Sequence, residues 1–381
     1  MNNSALSEDL HNFYILLPFS WRMITKSELK ELRDELLSSK KPILFFDDDN
    51  DGLCSFLLYY RFLKDHTDEI KGIILKTSPE LDGEIFVRKV DEFNPDKIFV
   101  LDKAMISQGF LDSVHRKVIW LDHHPLVDRK HVTYYNPLKH KSKKFLEDNR
   151  PTSYWAYKTI EKDRPQDMWI AAVGVVSDWH IPDFLKKFLQ KYPDMLPEGF
   201  KFTNPGDILY GGTRLGELCR IIYFNLKFAS NDAMVSAKIL SRIDDPYEIL
   251  DQTTPQGKYI YKQYKKFNSI YQRIKSDLKL DDTRLVLFEY SDQYSITSEL
   301  SNELIYAYPD KLVVIARKKN DSMICSFRGA NLNVRGILEK ALVGINGSGG
   351  GHEHACGGNI PVEDWPRFLE NLRRELTSHT V

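Results

Sequence analysis

The sequence predicts an α/β protein in which a linker helix joins an N-terminal parallel-sheet domain to a smaller C-terminal α/β domain. Three observations carry this expectation. Short apolar runs alternate with helix-patterned stretches through the first part of the chain, the rhythm of βαβ units. Three of those runs end in carboxylates: Pro42 to Phe46 leads into Asp47-Asp48-Asp49-Asn50-Asp51-Gly52, Lys97 to Leu101 into Asp102, and Lys117 to Leu121 into Asp122-His123-His124. A polar stretch rich in tyrosine and lysine then precedes a second set of apolar runs and the glycines Gly349-Gly350-Gly351. A length of 381 residues suits two cores, and the expected divisions are 1–252, 253–282 and 283–381.

In chain order, Thr25-Lys26-Ser27-Glu28 followed by leucines at helical spacing up to Leu37 reads as a capped amphipathic helix that covers the sheet. The first strand and its aspartates lead directly into the apolar helix Leu53 to Phe62, with Gly52 permitting the tight turn. A right-handed crossover then reaches Ile73-Ile74-Leu75 and continues to the Asp102 strand. Lys103, directly after Asp102, can neutralise the acids, meet a phosphate or point outward. Lys139 to Lys144, beside Tyr134 and Tyr135, reads as a solvated loop or as one side of a binding groove.

Pro151-Thr152-Ser153 reads as a helix start, either a plain N-cap or a start set against a functional site. The buried helix Met168 to Val176 presents Asp178 at its end, and His180 to about Asp251 is mainly helical with no legible chemistry. A polar helix from Thr253 to about Leu278 bridges to three strands, Leu285 to Phe288, Lys311 to Ala316 and Ser322 to Phe327. Two helices, Ile296 to Tyr308 and Val334 to Leu342, complete the second domain as far as the glycine run.

Four acidic chain positions converging on the carboxyl edge of one sheet would repel unless cations held them. That edge is where open α/β sheets bind ligands. Asp47-x-Asp49-x-Asp51-Gly52-x-x-Ser55, the strand-end Asp102, Asp122-His123-His124 and Gly174-x-x-x-Asp178 resemble the ordered motifs of the DHH phosphoesterase superfamily. The first motif is similar to its RecJ-like exonuclease and oligoribonuclease branch. Gly349 to Gly358, with His352 and His354, resembles the glycine-rich signature of the DHH-associated C-terminal domain.

The resemblance implies an active site in the cleft between the two domains, with Asp49, Asp51, Asp102, His123 and Asp178 on metal ions and Asp102 bridging. Asp47 would join them or support them, Asp122 would orient the imidazoles, and His124 would meet the scissile phosphate or tune the attacking water. Asp48 falls on the opposite strand face and is left out. The family's histidine ahead of the first motif is replaced here by Phe45 and Phe46, which leaves Asp47 to compensate. Ser326, Arg328, Gly350, Gly351 and His352 would hold substrate, since a guanidinium fork grips phosphate and glycines let backbone amides approach an anion.

Oxygen donors with imidazole select Mn2+ first and Mg2+ next, two ions in the family's chemistry. The implied activity is hydrolysis of single-stranded RNA or DNA, or of short oligonucleotides, by an exonuclease that releases nucleoside 5'-monophosphates. A replication or repair protein is the implied partner. Related families with the same two domains act on cyclic dinucleotides or small nucleotides, and others are catalytically silent replication scaffolds. The intact acids and His123 speak against a scaffold, and the glycine-histidine signature speaks against a pyrophosphate hydrolase.

Lys plus Arg (53) and Asp plus Glu (54) nearly cancel, so any nucleic-acid contact must be local. Cys54, Cys219, Cys325 and Cys356 form no CxxC pair and read as reduced thiols of a cytoplasmic protein. The early apolar patch, Phe13 to Pro18, is too short to cross a bilayer and lacks a basic segment ahead of it, so neither membrane anchor nor signal peptide is expected.

Overall fold

The computed structural model describes residues 24–76, 80–140, 150–280 and 284–378. The Phe13 to Pro18 patch and most of the Lys139 to Lys144 run lie outside them. The described chain divides into two units, Met1–Tyr264 and Lys265–Val381.

The N-terminal unit opens with α1 (Lys26–Leu37), whose Thr25 and Glu28 form a capping box and whose Leu32 and Leu36 are buried. Five parallel strands follow: β1 (Ile43–Asp47), β2 (Lys71–Leu75), β4 (Lys97–Leu101), β6 (Lys117–Leu121) and β7 (Thr133–Tyr135), in the order β2-β1-β4-β6-β7. A short side ladder pairs β3 (Glu80–Leu81) with β5 (Met105–Ile106). Apolar residues occupy both faces of β1: Phe46 packs with helices on one side, and Phe45 meets Phe86 and Phe110 on the other. Two covered faces explain why these strands read as continuous apolar runs and not as alternating ones.

Helix α2 (Asn50–Lys64) crosses from β1 to β2 and is buried along almost its whole length. It packs against α5 (Thr152–Ile160) and α6 (Met168–Ser177), reached after the crossing helices α3 (Glu84–Phe93) and α4 (Gln108–Ser113). Gly174 of α6 makes this close packing: a Cβ there would lie 2.5 Å from Ser153 Oγ and 2.8 Å from Cys54 Cβ. Arg61 ties the helical layer internally, donating to Asp167, Asp244 and the carbonyls of Ser241 and Ile243. The remaining helices of this unit, α7 (Leu185–Lys191), α8 (Pro205–Tyr210), α9 (Arg214–Asn225), α10 (Ser230–Leu240) and α11 (Tyr247–Leu250), follow the mainly helical pattern expected after His180.

The division between units falls inside α12 (Pro255–Lys275). The C-terminal unit has a five-stranded sheet, β11-β12-β10-β9-β8, formed by β8 (Leu285–Tyr290), β9 (Leu312–Lys319), β10 (Ser322–Arg328), β11 (Ser348–Gly351) and β12 (Ala355–Pro361). Helices α13 (Thr297–Ala307), α14 (Val334–Ala341) and α15 (Trp365–Ser378) complete it. The glycine run is thus not a phosphate-wrapping loop. Gly349, Gly350 and Gly351 are an edge strand registered on Gly358, Gly357 and Cys356. The sequence hides this strand because glycine has no side chain to display a strand period.

No helix among the described residues is long and apolar enough to cross a membrane.

Candidate metal centre

The site grows from the carboxyl ends of β1, β4 and β6. Asp49 caps α2, accepting from the Gly52 amide at 2.9 Å, and this turn draws the helix start against β1. A Cβ on Gly52 would sit 2.7 Å from the Asp47 carbonyl oxygen, so only glycine fits. Asp51 therefore lies in the first helical turn and not in a free loop, and it is 2 % exposed.

Asp102 follows β4 in a left-handed backbone conformation, φ 56°, and is 1 % exposed. Such a conformation is rare outside glycine, although aspartate tolerates it better than most residues, and it gathers at functional sites. The start of α5 holds both acids. Thr152 and Ser153 donate their amides to Asp51 at 2.7 and 2.9 Å, Ser153 Oγ also donates to Asp51, and Thr152 Oγ donates to Asp102 at 2.9 Å. The helix start expected at Pro151-Thr152-Ser153 is present, and of its two readings the one set against the acids holds. A proline followed by two hydroxyl residues was the available signal, and their partners lie 50 to 102 residues away in sequence.

His123 brings the acids to one point. Its Nε2 lies 3.6 Å from Asp102 Oδ1, 3.6 Å from Asp178 Oδ2 and 3.9 Å from Asp51 Oδ2. Two overlapping groups could each hold a metal ion: Asp51, His123 and Asp178, and Asp102, His123 and His124. Asp47 and Asp49 belong to neither group, although Asp49 acts through its charge on Asp47, Asp102 and Asp178.

Asp47 has another partner. Lys103 points inward, is 1 % exposed, and places its ammonium 3.0 Å from Asp47 Oδ1, which removes the outward-pointing reading. Asp48 instead faces Lys76 at 3.5 Å.

Asp122 is fully buried and accepts from the His124 amide at 3.1 Å, from Tyr134 Oη at 3.0 Å and from the Asn136 amide group at 3.3 Å. His124 Nδ1 lies 2.7 Å from Asp122 Oδ1, a contact in which the ring nitrogen donates. Tyr134 was read from sequence only as an aromatic beside the Lys139 to Lys144 run, and nothing in the pattern tied it or Asn136 to Asp122.

Electrostatics match this crowding. Burial and neighbouring acids push Asp102 well above the usual carboxylate range, and burial with Asp51 raises Asp49. Asp47 rises to about 6 through burial and Asp49, against the pull of Lys103. Asp178 rises to about 7 through the surrounding protein, partly offset by His123. Burial alone would lower His124, but its hydrogen bond to Asp122 and the nearby acids raise it to about 9. The donors are hard oxygens with imidazole nitrogen, and protons or divalent cations must balance them. The residues therefore fit Mn2+ or Mg2+.

In the C-terminal unit the register places Ser326 and Gly350 on either side of Gly357. Arg328 ends β10, and its guanidinium donates to Asn302 Oδ1 at 2.7 Å and to the Phe327 carbonyl at 2.9 Å. Part of the predicted phosphate fork is thus held by its own unit. Asn302, unremarked in the sequence, positions it. His352 is exposed in the turn after Gly351, its amide donating to the Ala355 carbonyl at 2.9 Å.

Comparison with known proteins adds the family. The DHHA1 domain family matches residues 283–378. RecJ from Thermus thermophilus, solved with Mn2+, superposes with a TM-score of 0.66 at 15% identity over 96% of this chain. The fold of the chain is RecJ-like. The chain spans 56% of that RecJ chain. A second exonuclease RecJ bound to manganese matches with a TM-score of 0.55 at 16% identity, over 96% of both chains. CDC45 from Entamoeba histolytica matches with a TM-score of 0.55 at 10% identity, over 92% of this chain and 99% of CDC45. No curated protein matches it in sequence.

Proposed function

We propose that this chain is a metal-dependent phosphodiesterase that degrades single-stranded RNA or DNA, or short oligonucleotides, from an end. The observation that carries the reading is the placement of His123 Nε2 within 3.6 to 3.9 Å of carboxylates from Asp51, Asp102 and Asp178. A scaffold would have no reason to keep these acids buried beside an imidazole at the cost of their mutual repulsion.

Asp51, Asp102, His123 and Asp178 would hold the ions, with Asp49 and Asp47 alongside. When bound, Mn2+ or Mg2+ supplies charge neutralisation and a water of lowered pKa. The chain's own residues do the rest. Thr152 and Ser153 fix Asp51 and Asp102, so little reorganisation accompanies the developing phosphoryl charge. Asp122 fixes the His124 ring and keeps it protonated near neutrality, so its second nitrogen can donate to a phosphoryl oxygen or to the leaving oxygen. In the DHHA1 domain, Arg328, Gly350, Gly351 and His352 would grip the substrate backbone, with Ser326 beside them.

The test is Mn2+-dependent digestion of matched RNA and DNA single strands labelled at either end, beside a dinucleotide, with Asp102→Ala and His123→Ala as controls. Stepwise shortening from one end that both substitutions abolish is the expected result. Cleavage of the dinucleotide alone would move the activity to small nucleotides, and no turnover of any substrate would return the protein to the scaffold class.

A further inference from the structure

Residues 180 to 252 carry no motif, yet together with Trp179 and Lys76 they set pairs of aromatic rings and cations in sequence after Asp178. The run begins at Trp179, directly after Asp178. Trp179 is 40 % exposed, whereas Trp120, Trp155, Trp169 and Trp365 are all buried. Its backbone is left-handed, φ 57°, at the end of α6, where the Asp178 and Trp179 amides return to the Gly174 and Val176 carbonyls. Glycine normally occupies such a helix end. A bulky ring held there, in water, adds nothing to the core.

The Trp179 ring centroid lies 6.4 Å from that of Tyr210. The Arg220 guanidinium lies 5.9 Å from the Tyr210 ring. One turn further along α9 is Tyr223, and the Lys227 ammonium sits 3.8 Å over its ring. Lys76 donates to the Leu226 carbonyl, one residue before Lys227, and faces Asp48 of the first motif at 3.5 Å. A chain of neighbouring groups therefore links Asp178 at one end of the strip to Asp48 at the other.

We infer that this strip is a track for single-stranded nucleic acid: bases stack on Trp179, with Tyr210 and Tyr223 behind, while phosphates meet Arg220, Lys227 and Lys76. Alternating rings and cations are the composition that binds single strands without reading sequence, because every base has a π-face and every linkage a negative charge. A duplex keeps its bases inside and cannot stack on Trp179. The near-neutral chain has no global field to attract a polyanion, so a local strip that continues from the carboxylate cluster is where its charge complementarity is found. The inference rests on the phosphodiesterase reading and extends it from the reacting linkage to the nucleotides beyond.

The test is a tryptophan-fluorescence titration of the full chain in EDTA, so that no strand is cut. The probes are oligothymidylate, oligouridylate, a duplex and an abasic sugar-phosphate strand. Both base-bearing single strands should quench the emission, and the abasic strand and duplex should not. Trp179→Ala should remove the quench and weaken binding by roughly five- to a hundredfold, the scale of one lost base stack. Trp179→Tyr should restore most of the affinity, which separates stacking from any folding defect. Lys227→Ala should flatten the dependence of log affinity on log salt by about 0.7.

Unchanged affinity in Trp179→Ala would overturn the track, as would equal binding of the abasic strand. If the wild-type chain still cuts strands in Mn2+ while that result is obtained, the phosphodiesterase reading stands and the track alone fails. If it neither binds nor cuts any strand, both fail.

Discussion

Two sheet edges in this molecule offer functional groups, and they are built on opposite terms. At the carboxyl edge of the N-terminal parallel sheet, Asp51, Asp102 and Asp122 are buried, Gly52 and Gly174 tolerate no Cβ, and like charges are packed together. At the corner of the C-terminal sheet, His352 is exposed and Gly350 half-buried, a Cβ on Gly350 would meet nothing within 4 Å, and the Arg328 guanidinium is partly satisfied by Asn302. The first edge is rigid and electrostatically unfavourable by itself, and a bound cation would relieve it. The second is cheap to reshape. Chemistry that needs fixed geometry suits the first edge.

Several substitutions can break this contrast. The largest effect is expected at Asp102. Asp102→Asn should lower Mn2+-dependent phosphodiester cleavage by at least about a hundredfold, beyond the usual loss on removing a group that merely supports a metal ligand. The same substitution should raise the melting temperature in EDTA at pH 8, because it deletes a buried like charge. A lower melting temperature would mean that the acids do not repel and would remove the electrostatic half of the comparison.

Asp122→Asn should cost about 10- to 100-fold in kcat, since it leaves the His124 ring unanchored. His124 is raised to about 9, so the folded ring keeps its charge through neutrality and loses it as pH rises through 9. The alkaline limb of the pH–rate profile should therefore move down in the variant. An unmoved limb would detach His124 from the chemistry.

Metal-free stability gives the third test. Asp47 and Asp178 are raised to about 6 and about 7, so the folded chain keeps protons that the unfolded chain releases near pH 4. The sign follows: stability in EDTA should fall as pH rises from about 4 through 7, and the loss of the raised His124 charge should carry the fall on towards 9. Saturating Mn2+ favours the ionised acids and should reverse that slope. Thermal unfolding across pH 4.5 to 8 in EDTA and in Mn2+ would reveal parallel curves if no cation site exists.

The smallest effects separate the two edges by packing alone. Gly174→Ala forces a Cβ to 2.5 Å from Ser153 Oγ and should destabilise by about 1–3 kcal/mol. Gly350→Ala enters open space and should stay within about 0.5 kcal/mol. Denaturant melts of both variants that gave equal losses would show the C-terminal corner to be as tightly packed as the metal edge.

Much of the N-terminal design was legible beforehand. Apolar runs of strand length ending in Asp47, Asp102 and Asp122 mark their own sheet edge, because a doubly covered parallel strand must be apolar until it reaches solvent or a site. The capped α1 and the buried α6 ending at Asp178 were readable for the same reason, their hydrophobic periods being local. Less was legible where the period vanished. The glycine run looked like a loop because a strand of glycines has no faces. Trp179 was passed over because exposure is not written in residue type.

What the sequence by itself determined was the set of acids, their order and the sheet edge that collects them, since backbone period and strand ends depend on near neighbours. The tertiary structure decided the rest. Lys103 turned inward to Asp47, Thr152 and Ser153 reached Asp51 and Asp102, and Asn302 took hold of Arg328. Each of these contacts joins side chains 26 to 102 residues apart. A hydroxyl, an amide or an ammonium has the same local pattern whether water or a buried carboxylate is its partner, so only the packed fold could choose.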